Sequence, residues 1–528
     1  MTAVDTYLAH RFDWRPVDAT FMGAEGHDQR LPRTGAGAAE AELAELTGLI
    51  AEVEADASLD PSDRQMLLAE MRVEESSLAT RPRHRNPAWH TGETAFGVIS
   101  LLLPQSAPWR GEAIAARLAA IPAFLQDGLT AIGGAPVPAG WVARAQGECA
   151  AMATFLREDI QLHEAYEPAW PTGPAAAAFE AYADALTGLP DADPAAGRAH
   201  LELVMREQHR LDFGPDEALA RARAAFDRTT RELEEMARAI DPATPWADQI
   251  AALSALHPAD EAGVLAEVKA LDAAAMDAAD GLVTPARAYG LDYRPFPDWA
   301  RNVSKALYFL FYRSPPGLNP GQGSTYWVSR PGEDLAAYLA ANATAMLKTI
   351  HAVHHGSVGH HTQNARARQA PSRLGRIAGT DCAMGLAFLG AGTLIEGWAC
   401  YVEDLLMEAP GFYSPAECLL LKSFERRNAA SVLVDINIHL GHWSLDEAAR
   451  FYAEEAGFAP ARVRGEVVRN SMFPGSRLMY WIGVEGIRDL RARWTGTAEE
   501  FHDTLLSLGH VPLATVAEHM ADTGRLAA

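Results

Sequence analysis

The segment Gly214-Pro215-Asp216-Glu217-Ala218-Leu219, continuing to Ile240, decides the fold class. Gly-Pro-Asp is a helix-start signal, because proline near the first turn loses only an N–H that has no helical partner there. Leu219, Phe226, Leu233, Met236 and Ile240 then follow at helical spacing. That rhythm lines one face of an amphipathic helix. The same pattern recurs elsewhere. Asp60-Pro61-Ser62 opens a run through Met66, Leu67 and Met71. Glu112 to Leu129 reads as helical with a kink or break at Pro122, and Asp260 to Asp280 is a further helical stretch. Alternating strand patterns are scarce, with room for a short hairpin within 282–330. The expectation is a mainly α protein with few or no strands.

Of the 528 residues 48% are apolar, enough for a sizeable core. Lys and Arg number 45 against 69 Asp and Glu, a net charge of −24. A field that negative argues against nucleic-acid and anionic-membrane partners. The apolar runs Ala95–Pro104 and Ala306–Tyr312 are too short to span a bilayer. Cys149, Cys382, Cys400 and Cys418 lie far apart with no C-x-x-C pair. That excludes a disulfide scaffold and a cysteine-ligated zinc finger. The N-terminus has an early acid, Asp5, and no apolar core of a signal peptide. A soluble cytoplasmic protein with reduced thiols, monomeric or homodimeric, is expected. The Pro/Gly-rich breaks at 104–109, 133–140, 166–174 and 314–323 are too short to be linkers.

Function concentrates in His351-Ala-Val-His354-His355-Gly-Ser-Val-Gly359-His360-His361-Thr-Gln363, which holds five of the 18 histidines. Glu333 to Lys348 before it looks helical. Neutral imidazoles joined by a carboxylate suit zinc or iron; the plain alternative is a polar helix end. On a straight helix His354 and His361 would stand about 10 Å apart, too far to share an ion. His351 and His355, at i and i+4, would be about 6 Å apart, as in H-E-x-x-H zinc helices. His354 can meet His360 only if the helix bulges or ends near Gly356 or Gly359. Downstream, Leu394 to Asp404 reads as a helix with Glu396 early in an apolar run. Glu396 is a candidate third ligand, or an acid favoured by the helix dipole.

Four ordered segments resemble the bacterial DUF 885 family, itself similar to a distant branch of the gluzincin metallopeptidases. The family's H-E-A-x-P-G-H-H-x-Q matches His354 to Gln363, and E-G-W-A-x-Y matches Glu396-Gly397-Trp398-Ala399-Cys400-Tyr401. V-D-T-G-I-H-x-x-x-W is similar to Val434 through His439 to Trp443, and P-G-Q-A-x-x-Y-x-I-G to Pro474 through Tyr480 to Gly483. The likeness extends to the arm Pro16 to Pro32 and so covers essentially the whole chain. It implies one large helical bundle with a deep central cleft. Residues 1–35 would form an ordered arm, 36–290 a helical lobe, and 291–528 the lobe carrying the motifs. It also implies one divalent ion, zinc first and iron or manganese as alternatives, held by His354, His360 and Glu396 with His355 or His361 as a fourth ligand.

Departures from the family pattern bear on mechanism. His355 stands where zinc peptidases keep the glutamate that acts as general base. Val358 replaces a proline, Ser476 and Arg477 replace Gln and Ala, Trp481 replaces a lysine, and Ser431 replaces an arginine. Three readings follow. The first is a divergent metallohydrolase acting on an amide, peptide or small molecule, with His355 or an acid such as Glu403 as base. The second is a non-hydrolytic His/Glu metalloenzyme of small-molecule metabolism. The third is an inactive, metallopeptidase-like binding protein. The resemblance makes His439 a cleft residue that donates to a developing oxyanion, and Tyr480 a phenol donor to a substrate carbonyl. Arg477, Gln363 and Tyr326 are candidate substrate contacts, and Asp435 a candidate acceptor orienting a histidine.

Overall fold

The computed structural model describes residues 2–307, 312–321 and 323–527. Most of the apolar run 306–312 therefore lies outside the described residues. The fold is mainly α, as its periodicity predicts. Ala3–Trp14 (α1) and Pro16–Met22 (α2) make the N-terminal arm helical. Pro61–Thr80 (α3) starts at Asp60, whose carboxylate accepts the N–H groups of Ser62 and Asp63. Gly111–Ile132 (α4) runs through Pro122 without ending. A mid-helix proline costs about 3 kcal/mol. Here Leu118, Ile121 and Leu125 around it are all buried in one core, so tertiary packing holds the helix across the missing bond. Pro215–Ile240 (α5) follows the deciding segment, with Phe226 and Leu233 buried. Glu261–Ala278 (α6) confirms the next stretch.

Among the described residues, three short strands form one sheet in the order β1-β3-β2: Leu291–Pro295 (β1), Tyr312–Arg313 (β2) and Ser324–Val328 (β3). β2 and β3 are antiparallel, which supplies the expected hairpin pairing, and β1 adds a parallel edge, with Tyr293 opposite Tyr326. The helix expected over 333–348 is interrupted. Leu335–Ala341 ends at Asn342, and a short turn leads into a π-helix, Leu347–His354. The chain turns at 355–359 and resumes as His360–Ala367 (α7).

Gly392–Leu405 (α8) packs against Leu478–Arg493 (α11). Pro415–His439 (α9) packs on α5 and also touches α11, and Pro460–Met472 (α10) leans on α9. The principal core joins Tyr7, Leu8 and Phe12 of α1 to Leu394 and Trp398 of α8, Ile487 of α11 and Met520. Chain ends far apart in sequence thus share one hydrophobic cluster with the helix that carries Glu396. The four cysteines form no disulfide. No described helix is long and apolar enough to cross a membrane.

Candidate metal centre

The break between the π-helix and α7 brings His354 and His360 together, as the glycines permit. A Cβ on Gly356 would lie 1.9 Å from the Ala352 carbonyl oxygen, and one on Gly359 1.9 Å from that of His354. Only glycine fits a chain doubled back this tightly. Trp398 of α8 braces the turn: its indole N–H is shared between the carbonyl oxygens of Val358 and Gly359, both at 3.2 Å. Asp272 of α6 braces it from the other side, accepting the Ser357 N–H at 2.7 Å and hydroxyl at 2.6 Å.

Three donor atoms then converge. Nε2 of His354 lies 4.0 Å from Oε2 of Glu396, and Nε2 of His360 lies 3.8 Å from the same oxygen. The opposite nitrogen of each ring is engaged. His354 Nδ1 is 2.6 Å from Oε1 of Glu403. His360 Nδ1 is 3.2 Å from Oε1 of Gln363, whose amide nitrogen donates to the Leu394 carbonyl oxygen at 3.1 Å. The amide orientation makes His360 Nδ1 the donor and leaves the Nε2 lone pair free. Holding the second nitrogen sets tautomer and ring plane, as in metal-ligating histidines generally.

His355 joins this group. Its ring centroid lies 4.7 Å from that of His354 and 5.3 Å from that of His360. Donor atoms of the three imidazoles all fall within 4.8 Å of one another. Nδ1 of His355 is buried and has no hydrogen-bond partner. Burial, with the neighbouring imidazoles, pushes His354 and His355 well below the usual histidine range. Both rings stay neutral, the form that binds metals. Burial raises Glu396, opposed by His360, and holds Glu403 well above the usual range. The three imidazoles, one of them with an orphaned ring nitrogen, have donor atoms within 4.8 Å of one another, and Oε2 of Glu396 lies within 4.0 Å of two of them, a donor set of the kind that holds a divalent ion.

Several expected site residues stand elsewhere. His361 turns away: Nε2 donates to the Tyr289 carbonyl oxygen and Nδ1 is 3.4 Å from the Tyr312 hydroxyl, so neither nitrogen is left for an ion. Gln363 is buried, its amide spent on His360 Nδ1 and the Leu394 carbonyl oxygen. Tyr326 is fully buried, its hydroxyl 2.6 Å from Nδ1 of His351 and its ring against His355. It supports the imidazoles and lines no binding surface. His351 is thereby engaged as well.

His439 is fully buried, with Nε2 donating to the Asn470 carbonyl oxygen at 3.0 Å; it does not open on a cleft. Asp435, 3.5 Å from His439, accepts the N–H groups of Gly475 at 3.0 Å and Arg477 at 2.8 Å. It anchors the turn that starts α11 and orients no metal-facing histidine. Arg477 is committed to Asn470 and, at 3.0 Å, to Glu466, so its guanidinium is an internal clamp. Tyr480 remains beside the centre. The charge of Glu396 reaches its phenol, which burial chiefly holds in the protonated, hydrogen-donating form.

Sequence reasoning missed the orienting role of Glu403 and the braces Trp398 and Asp272. The signal for the first was present: Glu396, Cys400 and Glu403 recur at i, i+4 and i+7, one face of α8. It also missed why the motif glycines stand on α8 and α11. A Cβ on Gly397 would meet Gly483 Cα at 2.6 Å, and one on Gly483 would meet Gly397 Cα at 2.5 Å. The two glycines let the backbones of α8 and α11 touch at the residue that follows Glu396.

With this geometry in hand, comparison with known proteins gives the class. Residues 16–520 match the family described as a bacterial protein of unknown function, DUF885. The chain belongs to that family. Its fold is shared with a "putative lipoprotein of unknown function" from Shewanella oneidensis, 17% identical, TM-score 0.74, covering 98% of this chain and 99% of that one. It is shared also with the "putative lipoprotein" from Colwellia psychrerythraea, 17% identical, TM-score 0.73, covering 99% of this chain and 98% of that one. No curated protein matches the chain.

Proposed function

We propose that this DUF885 chain is a metal-dependent enzyme, a divergent relative of the gluzincin metallohydrolases. The observation that carries the reading is the convergence of His354 Nε2, His360 Nε2 and Glu396 Oε2, with Glu403 and Gln363 behind the two rings. His354, His360 and Glu396 would hold one divalent ion, zinc first, and His355 would be the fourth donor through its unpartnered Nδ1. An ion there would act as a Lewis acid on a carbonyl or comparable oxygen. Tyr480 would donate its hydroxyl proton as a hydrogen bond to that oxygen. The substrate is an amide, peptide or other small acyl compound. Because His355 takes the place of the usual glutamate base and faces the donors, ordinary peptide hydrolysis is expected to be weak.

Three imidazoles with one carboxylate also suit iron or manganese, which carries a second reading, a non-hydrolytic reaction on a small molecule. Four unpaired cysteines suit a reducing compartment. Cytoplasmic residence is part of the proposal, and the lipoprotein description belongs to the two related structures. The test is elemental analysis of protein purified without a histidine tag. About one ion per chain is expected, with occupancy reduced about 10- to 100-fold or more in Glu396→Gln. Full stability without metal, or an ion unaffected by Glu396→Gln, overturns the reading. Zinc supports the hydrolase, and iron or manganese the alternative.

A further inference from the structure

The imidazole of His354 lies along one face of α8, and its far side meets a second cluster of donors. A ring nitrogen of His354, Sγ of Cys400 and a carboxylate oxygen of Glu403 all fall within 4.8 Å of one another, with Nδ1 the nitrogen that meets Glu403 at 2.6 Å, and all three residues are buried. This is a nitrogen, sulfur and oxygen set, softer than the one on the Nε2 side. Cys400 and Glu403 also line a cavity of about 20 Å³ with Asp404, Asn428, Trp481 and Arg488. That is room for one water or one ion beside Cys400 and Glu403, in a cavity that His354 does not itself line. Asp404 pairs with Arg488, and Glu425 with Lys422 and Arg488, whereas Glu403 has no Lys or Arg partner among the described residues and meets His354 Nδ1 at 2.6 Å.

We infer that Cys400, Glu403 and Nδ1 of His354 form a second cation site for a soft or borderline divalent ion such as zinc or cadmium, placed back to back with the first on one imidazole. Binding exchanges protons for the ion. The Cys400 S–H proton and the single proton shared between Nδ1 and Glu403 leave to solvent, the ion takes the thiolate, Nδ1 and the carboxylate, the ring becomes a bridging imidazolate when Nε2 also holds an ion, and no electron moves. Filling this site removes the hydrogen bond that orients His354 toward the first centre, so excess soft metal acts as an inhibitor. The site does not depend on the first centre being catalytic, only on His354 lying along α8 as it does.

The test is titration of the purified full-length protein with cadmium, read by equilibrium dialysis and by the ultraviolet thiolate-to-cadmium absorption. Two equivalents per chain are expected, one of them accompanied by the absorption band. Cys400→Ser should bind one equivalent and show no band, whereas Cys149→Ser, Cys382→Ser and Cys418→Ser should keep it. Glu396→Gln should weaken the first ion and retain the band, which separates this site from the proposed first centre. Absence of the band in the wild type, its persistence in Cys400→Ser, its loss in Cys418→Ser, or its loss in Glu396→Gln overturns the inference. Circular dichroism identifies a misfolded Cys400→Ser, and in that case Cys400→Ala serves as the band-free variant.

Discussion

Glu403 Oε1 lies 2.6 Å from Nδ1 of His354, on the side of the ring opposite Glu396. One helix thus presents acids two turns apart to the two nitrogens of one imidazole. If this contact sets the ring, Glu403→Ala should lower metal affinity about 10- to 100-fold, measured by competition with a chromophoric chelator. Glu403→Gln keeps an acceptor oxygen and should lose less. Equal affinity in wild type and Glu403→Ala would show that His354 is held by packing alone.

Gly397→Ala tests the helix crossing above the site. Its Cβ would meet Gly483 Cα at 2.6 Å, and backbone cannot rotate aside as a side chain can. Overpacking of this kind costs about 1–3 kcal/mol. The urea midpoint should fall, and metal occupancy should fall with it because α8 carries Glu396. The same substitution at Gly465, an exposed helical position where a Cβ meets nothing within 4 Å, should leave occupancy unchanged and raise the midpoint by the helix-propensity gain of about 1 kcal/mol.

His355→Glu should place a carboxylate beside His354 and His360. The expected outcome is one retained ion, a gain in slow hydrolysis of small peptides, and loss of any specialised native reaction, followed with a panel of short chromogenic peptides. Efficient peptide cleavage by the wild type, unchanged in His355→Glu, would make His355 a bystander.

Acid should unfold the protein early. Burial holds His90 and His439 at about 3, and His200, His209 and His502 at about 4, against an ordinary value of 6.5. Between those values the unfolded chain binds protons that the folded one refuses. Stability from these groups is therefore complete above about pH 6.5 and is lost as pH falls toward 3. Unfolding at pH 5 should take up close to one proton per such histidine, less what the carboxylates contribute, measured from the pH dependence of the urea midpoint. Replacing His209 with Asn should flatten that dependence; an unchanged slope would contradict the assignment.

The helical class was legible because burial on a helix leaves a local record: Phe226 and Leu233 repeat at the period of the backbone that buries them. The pairing of His354 with His360 was legible for a similar reason, since Gly356 and Gly359 mark where a helix can break. Pro122 does not break its helix, because propensity describes an isolated helix whereas Leu118, Ile121 and Leu125 pack this one. Arg477, Gln363 and Tyr326 are polar groups beside motifs, and nothing local shows whether such a group faces solvent or a buried partner.

By itself, then, the sequence determined the elements and the donor types: amphipathic helices, a glycine-punctuated histidine segment, and an acid on the next apolar helix. Only the tertiary structure decided which donors meet. His361 and His360 are neighbours in sequence, yet one imidazole is consumed by Tyr289 and Tyr312 and the other faces Glu396. Side-chain direction follows backbone phase across the break at 355–359. That phase is set by long-range contacts, Trp398 to Val358 and Asp272 to Ser357, whose partners lie 40 and 85 residues apart in the chain.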